Sequence, residues 1–240
     1  MKKIILPLLL LVFSLPLFAA DTHEKVVGRL DEASNVLDEI MGARDSGIPD
    51  EIISNSKCLA IVPSFLKGGF VVGGSYGKGV ATCRTESGAW SAPAMFRMEG
   101  GSFGLQIGGE AVDLIMVIMN DKGMERLLSS KFKLGADASA AAGPVGRHAD
   151  ASTDWKLRAE VLTYSRSRGV FAGISLNGST IRQDKDDTRV LYGRMVRFRT
   201  SLTGQIAVPQ DAEKFIATVG KYAGAPHNTP PPPQTEEKRD

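Results

Sequence analysis

The chain has 240 residues, 29 Lys and Arg against 27 Asp and Glu, and 42% hydrophobic residues. That is enough material for a globular domain with its own core, and too even in charge for a strongly cationic nucleic-acid binder. Two cysteines and three histidines leave little with which to build a metal centre.

The chain opens on a targeting pattern. Lys2 and Lys3 precede an apolar run, Ile4 to Phe18, followed by Ala19-Ala20. This is the charged, apolar and small-residue succession of a signal peptide over 1–20. The run is about 15 residues, short of the roughly 20 that span a bilayer, and Pro7 and Pro16 interrupt it. The expectation is an exported protein of the periplasm or envelope, cleaved near Ala19 or Ala20. A retained anchor is the alternative. Both Lys2 and Lys3 lie in this leader, so the mature chain carries 27 basic residues against 27 acidic ones.

Residues 21–44 have the pattern of an amphipathic helix. Val26, Leu30, Ala33, Leu37 and Ile40 recur at spacings of three and four. Two readings stand: a helix packed on the domain, or one lying on a membrane surface. Asp31, Glu32, Asp38 and Glu39 make the polar face acidic, which anionic lipid would repel. Pro49 suits the start of a short helix that runs to Ser56. Cys58 to Val62 reads as a buried strand stopped by Pro63.

Glycines punctuate the next stretch, Gly68-Gly69-Phe70-Val71-Val72-Gly73-Gly74-Ser75-Tyr76-Gly77-Lys78-Gly79-Val80. Glycine is costly inside a strand, so several together call for curvature, a bulge or close backbone approach. The reading is two strands, Phe70–Tyr76 and Val80–Arg84, around a turn at Gly77-Lys78-Gly79. Gly69 and Gly73 would then share one bare face. Related runs at Gly100–Gly109 and Gly169–Ser175 suggest glycine-marked strands of one sheet. Cys58 and Cys83 flank the stretch. A bridge between them would close a loop of about 26 residues and stabilise by roughly 3 kcal/mol on the chain-entropy model. Two buried thiols are the alternative.

Further on, Ser102–Gly108 alternates and reads as a strand. Ala111–Met119 is apolar except for Asp113, expected to be a structural hydrogen-bond acceptor. Asn120-Asp121 caps a short helix, Lys122–Ser129. The Ala- and Gly-rich Leu134–Val145 reads as a strand in tight quarters. Trp155–Ser165 and Gly169–Leu176 form a strand pair, Asn177-Gly178 is a hairpin signal, and Gln183–Asp187 is a charged loop. Asp211–Tyr222 is a second amphipathic helix. Residues 224–240, with four consecutive prolines at 230–233, have the composition of a disordered, polyproline-like tail.

No nucleophile elbow, HExxH or P-loop is present, and no cofactor motif; the chain is not expected to be an enzyme. Six cations fall at turn positions beside the glycine strands: Lys67, Lys78, Arg84, Arg147, Arg166 and Arg168. If those turns meet in space, they form a basic rim for lipid head groups. Scattered solvated charges are the plainer reading.

Several short motifs, in order, resemble the SYLF domain. They are Lys67-Gly68-Gly69-Phe70-Val71-Val72-Gly73-Gly74, Tyr76-Gly77-Lys78-Gly79-Val80, Trp90-Ser91-Ala92-Pro93, the Gly-Leu-Gln-Ile-Gly run at 104–108, Gly143-Pro144-Val145-Gly146-Arg147, Tyr164–Gly169 and Tyr192-Gly193. The resemblance spans about Ala33 to Tyr222 and implies a SYLF-like domain over 45–223. It also implies a lipid-binding module: eukaryotic members bind phosphoinositides or other anionic lipids, and yeast members also bind actin filaments. Membrane contact in the family is attributed to an N-terminal amphipathic helix and basic residues.

The expectation is therefore a single α+β domain, a strongly curved, mostly antiparallel sheet flanked by the N-terminal and C-terminal helices. Its function would be non-catalytic contact with anionic lipid. The alternative is an adaptor that holds a protein partner through a sheet edge or the Pro-rich tail.

Overall fold

The computed structural model describes residues 16–43, 47–69, 72–103, 108–146, 159–167, 170–173 and 176–224. The expectations for the leader before residue 16, for 104–107, for 147–158 and for the tail beyond 224 lie outside them. Helix α1 (Pro16–Gly42) runs across the expected cleavage zone. Its predicted stripe is the buried one: Val26, Leu30, Ala33, Leu37 and Ile40 are each at most 2% exposed. Burying the larger of these stabilises the fold by about 1.5–3 kcal/mol apiece. Of the two readings of this helix, the described structure takes the packed one.

The strands are β1 (Cys58–Gly69), β2 (Val72–Cys83), β3 (Ala94–Phe103), β4 (Gly108–Ile118), β5 (Lys131–Lys133), β6 (Ala140–Ala142), β7 (Val161–Ser167), β8 (Val170–Gly173) and β9 (Thr180–Gln183). They form one curled sheet in the order β5-β9-β3-β2-β1-β4-β7-β6, with β8 also on β7. Every pairing is antiparallel except β6 on β7. The described residues also form five further α-helices, α2 (Asp50–Ser54), α3 (Asp121–Leu128), α4 (Lys185–Tyr192), α5 (Phe198–Leu202) and α6 (Glu213–Ala223), and a 3-10 turn, Gln210–Ala212. The class is α+β, as the sequence implied.

Alternation along the central strands divides the core in two. Ile61, Val80 and Ile115 face α1 and α6, joining Leu30, Leu37 and Phe215. Ala60, Val62, Ala81, Phe96 and Leu114 face the other way, onto Leu127, Phe132, Phe198 and Leu202. Cys58 and Cys83 are directly opposed on β1 and β2 and form a disulfide.

Several local readings are corrected. β2 runs unbroken from Val72 to Cys83, so there is no turn at Gly77-Lys78-Gly79, and β1 and β2 pair antiparallel from Gly69 and Gly73 inward. Gly77 and Gly79 are there for close approach. A Cβ on Gly79 would lie 2.4 Å from the Ile61 carbonyl oxygen, and one on Gly77 would lie 2.6 Å from a Val62 methyl. Gly69 and Gly73 sit opposite each other on two strands rather than along one. Pro63 does not stop β1. It falls at a bulge between Val62 and Phe65, a place where a strand tolerates a residue without an N–H. Ser64 there has φ 51°, and its N–H donates to Asp113 Oδ1 at 2.9 Å. Asp113 is thus the structural acceptor expected of it.

β3 ends at Phe103 and β4 begins at Gly108; the middle of the expected Ser102–Gly108 strand lies outside the described residues. In the stretch 134–145 only Ala140–Ala142 is a strand. Gln183–Asp187 is not a loop. Asp184 caps α4, its carboxylate accepting from the N–H groups of Asp186 and Asp187. The Asn177-Gly178 turn exists, with Gly178 at φ 88°, but it feeds β9, which pairs with β3 and β5 rather than with the preceding strand.

Candidate functional site at the glycine end of the sheet

The antiparallel registers gather the glycine runs at one end of the sheet. Gly68 is paired with Gly74 on one side and Gly109 on the other, and Gly74 is paired with Gly101. One residue pair further in, Leu66 lies opposite Tyr76 and Ala111, and Tyr76 lies opposite Glu99. On the face that carries α1, these strands therefore present two rows. One row is Ala111, Leu66, Tyr76 and Glu99. The other is four glycines, Gly109, Gly68, Gly74 and Gly101, all exposed. Nothing lies within 4 Å of the space above Gly74 or Gly101.

Leu66 is 55% exposed and Tyr76 43%, and they touch the same surface. Together with Lys67, Ser75, Glu110 and Ala111 they line a shallow, open hollow of about 580 Å³. The backbone of the floor is already engaged in the sheet ladder. The floor therefore offers carbon surface and almost no free donor or acceptor.

A row of charges separates this end from the core under α1. Lys78 Nζ lies 2.8 Å from Asp184 Oδ2 and 3.0 Å from Asp187 Oδ1, and Arg29 of α1 pairs with the same Asp187. Asp184 is buried, which alone would raise its pKa. Hydrogen bonds from Lys78 and from two backbone N–H groups outweigh that and hold it below the usual carboxylate range. Burial likewise pulls at the Lys78 ammonium, and the two carboxylates more than offset it. On the other side, Arg166 pairs with Glu39 of α1 and lies 3.5 Å from Asp113. The helical layer stops at these pairs, and the sheet continues beyond them.

Of the six cations read from sequence, the four that are described, Lys67, Lys78, Arg84 and Arg166, do not share one rim. Lys67 is at the glycine end, opposite Glu110; burial lowers its pKa and Glu110 opposes the fall. Lys78 and Arg166 are held in the charge row just described. Arg84 sits beyond Cys83, about nine residues or roughly 30 Å of strand from Lys67's partner Ser75. It is 9% exposed and donates to the carbonyls of Ser54, Ser56, Ala223 and Gly224, with its guanidinium 4.6 Å from the Trp90 ring. It is a clamp on the ends of α2 and α6. Arg147 and Arg168 lie outside the described residues.

The sequence alone does not single out Leu66 and Tyr76, because a turn at 77–79 hides their pairing. The signal for Asp184 is there: an Asp followed by acidic residues at the second and third positions after it is a helix start. Among the described residues no group of three or more His, Cys, Asp or Glu could hold a metal ion. No described helix is long and apolar enough to cross a membrane.

The class these features define is an α+β fold with a curled glycine-marked sheet, packed by helices at one end and, among the described residues, bare at the other. The chain belongs to the Ysc84 (SYLF) family: the family model described as "Las17-binding protein actin regulator" matches residues 99–222. It is similar to the SH3 domain-containing YSC84-like protein 1 of Bos taurus, 36% identical over 179 residues, which is 74% of this chain and 52% of that protein. Protein YSC84 of Saccharomyces cerevisiae is 33% identical over 181 residues, 74% of this chain and 38% of its own length. LAS seventeen-binding protein 3 of the same species is 34% identical over 188 residues, 77% and 40% respectively. The chain thus spans about half the length, or less, of these relatives.

Proposed function

We propose that the protein is a non-catalytic, peripheral lipid-binding protein of the bacterial periplasm or envelope, contacting anionic lipid from outside the bilayer. One observation carries this reading. The exposed Leu66 and Tyr76 share a surface floored by bare glycines, with Lys67 at the same end of β1 on the opposite face of the sheet. A water-facing surface has little use for an uncovered apolar patch unless something docks on it. Lys67, on the same strand end, is the first head-group candidate, with Arg147 and Arg168 as candidates for the same role. The test is co-sedimentation of the mature chain with vesicles containing phosphatidylglycerol or cardiolipin. Binding is expected, and a protein left in the supernatant at every vesicle composition refutes the reading.

The relatives' names favour a second reading, an adaptor that holds a protein partner. Four consecutive prolines near the C-terminus offer such a partner a ligand. Deleting the residues after Ala225 separates the two. A lipid binder keeps its vesicle binding, and an adaptor working through the tail loses its partner.

A further inference from the structure

We propose that the glycine end of the sheet, rather than helix α1, enters the bilayer, with Leu66 and Tyr76 reaching the acyl layer and Lys67 staying at the head groups. The inference rests on the lipid-binding reading and says which element makes the contact.

Size argues for a bilayer over a protein partner. The patch spans four strands, β4-β1-β2-β3, and two residue rows. Same-face rows are two residues apart, so at about 4.8 Å between strands and about 3.3 Å per residue the described part of the patch covers roughly 250 Å². A stable protein–protein interface needs about 800 Å² from each partner. A bilayer needs no matching shape and no minimum footprint. The floor also suits it chemically. Gly68 and Gly74 are paired in the ladder on both sides and can be buried in hydrocarbon without stranding backbone groups, while Gly101 and Gly109, paired on one side, form the outer strands of the patch.

The rim has the composition of a membrane interface. Tyr76 puts a ring with a polar tip beside Leu66, an arrangement favoured at the head-group level. Lys67 can lay its stem on apolar surface and keep its ammonium outside. The charges nearby are balanced: Glu110 faces Lys67 in register, and Arg97 pairs with Glu99 at 3.1 Å. The described patch is therefore close to neutral, and the apolar share of binding should not depend on head-group charge. The charge row of Arg29, Asp187, Lys78, Glu39, Arg166 and Asp113 marks how far the end can sink.

The experiment compares wild type, L66D/Y76D and K67E on phosphatidylcholine and on mixed phosphatidylcholine–phosphatidylglycerol vesicles, with and without about 1 M salt, where the screening length falls to about 3 Å. Wild type is expected to bind phosphatidylcholine to the same extent at both salt levels. L66D/Y76D should need at least about tenfold more lipid, a loss of about 1.4 kcal/mol. K67E should lose only the extra, salt-sensitive affinity for the anionic mixture. Both altered side chains of the double variant are solvent-exposed, and an unchanged thermal unfolding curve confirms the fold. If L66D/Y76D binds as well as wild type, the sheet end is not the contact, although lipid binding itself stands. If salt abolishes wild-type binding, apolar insertion is wrong. A concentration-dependent dimer in sedimentation that L66D/Y76D abolishes would assign the patch to a second copy of the chain. Wild type that binds no vesicle overturns this inference and the lipid-binding reading together.

Discussion

Arg84→Ala separates a structural cation from a head-group cation. Arg84 grips the chain where α6 ends and α2 ends: the Ser56 carbonyl at 3.0 Å, that of Ser54 at 2.9 Å, that of Gly224 at 2.5 Å and that of Ala223. Ser56 and Ala223 are fully buried, so water does not replace the guanidinium at those two positions. A buried acceptor left unsatisfied costs about 1–3 kcal/mol. Two of them, with the lost contact over Trp90 at about 1 kcal/mol, put the penalty near 4 kcal/mol. At about 2–4 °C per kcal/mol for a domain of this size, the unfolding midpoint should drop by roughly 8–16 °C. Arg84→Lys should recover a minor part, because one ammonium cannot reach carbonyls on two helix ends at once. The assay is thermal unfolding by circular dichroism, paired with vesicle co-sedimentation well below the transition. The reasoning fails if Arg84→Ala melts within about 2 °C of wild type and yet binds vesicles more weakly.

Replacing Cys58 and Cys83 together by Ala removes a link between residues 25 apart, and chain entropy puts the loss at about 3 kcal/mol; denaturant unfolding of the oxidised wild type against the double variant measures it. Gly79→Ala should destabilise by about 1–3 kcal/mol through overpacking, since its Cβ would meet the Ile61 carbonyl oxygen at 2.4 Å, whereas Gly74→Ala, with nothing within 4 Å, should be neutral or slightly stabilising. Equal melting temperatures for these two variants would contradict the close packing of β2 on β1 at Gly79. Asp184 has its pKa lowered in the fold, despite the opposing effect of burial, by Lys78 and backbone donors. A lowered carboxylate binds its proton more readily when unfolded. Its contribution is therefore complete above about pH 4 and is lost as the pH falls further. Asp184→Asn should flatten that part of the acid-stability curve while keeping the α4 cap, and an unchanged acid limb would rule out Asp184 as its source.

The sequence was most informative where one periodicity dominated. The stripe from Val26 to Ile40 needed only the 3.6-residue period, and burial matches it residue by residue. The glycine strands were harder, because a strand's own sequence says nothing of which strand lies beside it. Gly77 and Gly79 resemble turn residues. What decides their role is Val62, Phe65 and Phe96 pressing on that face, a fact of register and of the bulge at Ser64. The same gap hid the fate of Lys78. Alternation puts it on one face of β2, but only the packing of α4 brings Asp184 and Asp187 to it. Arg84 needed even more distant information, since its partners lie 28 to 140 positions away. Three of the six turn cations, Lys78, Arg84 and Arg166, serve internal contacts.

The two routes to a membrane differ in what they disturb. Using α1 as the lipid-binding helix means lifting Val26, Leu30, Ala33, Leu37 and Ile40 out of the core, where each is essentially unexposed. A bilayer could return a similar transfer energy to the helix, but Ile115, Phe215 and Val219 would be left facing the vacated space. The helix would also lose its pairs from Arg29 to Asp187, Asp31 to Lys214, Asp38 to Lys221 and Glu39 to Arg166. The exposed members of that set are worth little singly, whereas the pair at Asp187 is mostly buried, and breaking it leaves charge without water. The sheet end requires none of this. Leu66 and Tyr76 are already out, and the glycines beneath them have no side chains to rearrange. The property that lets β1 and β2 pack closely at Gly79 also leaves the other end of the same strands flat and bare, so lipid contact there proceeds with the native fold intact.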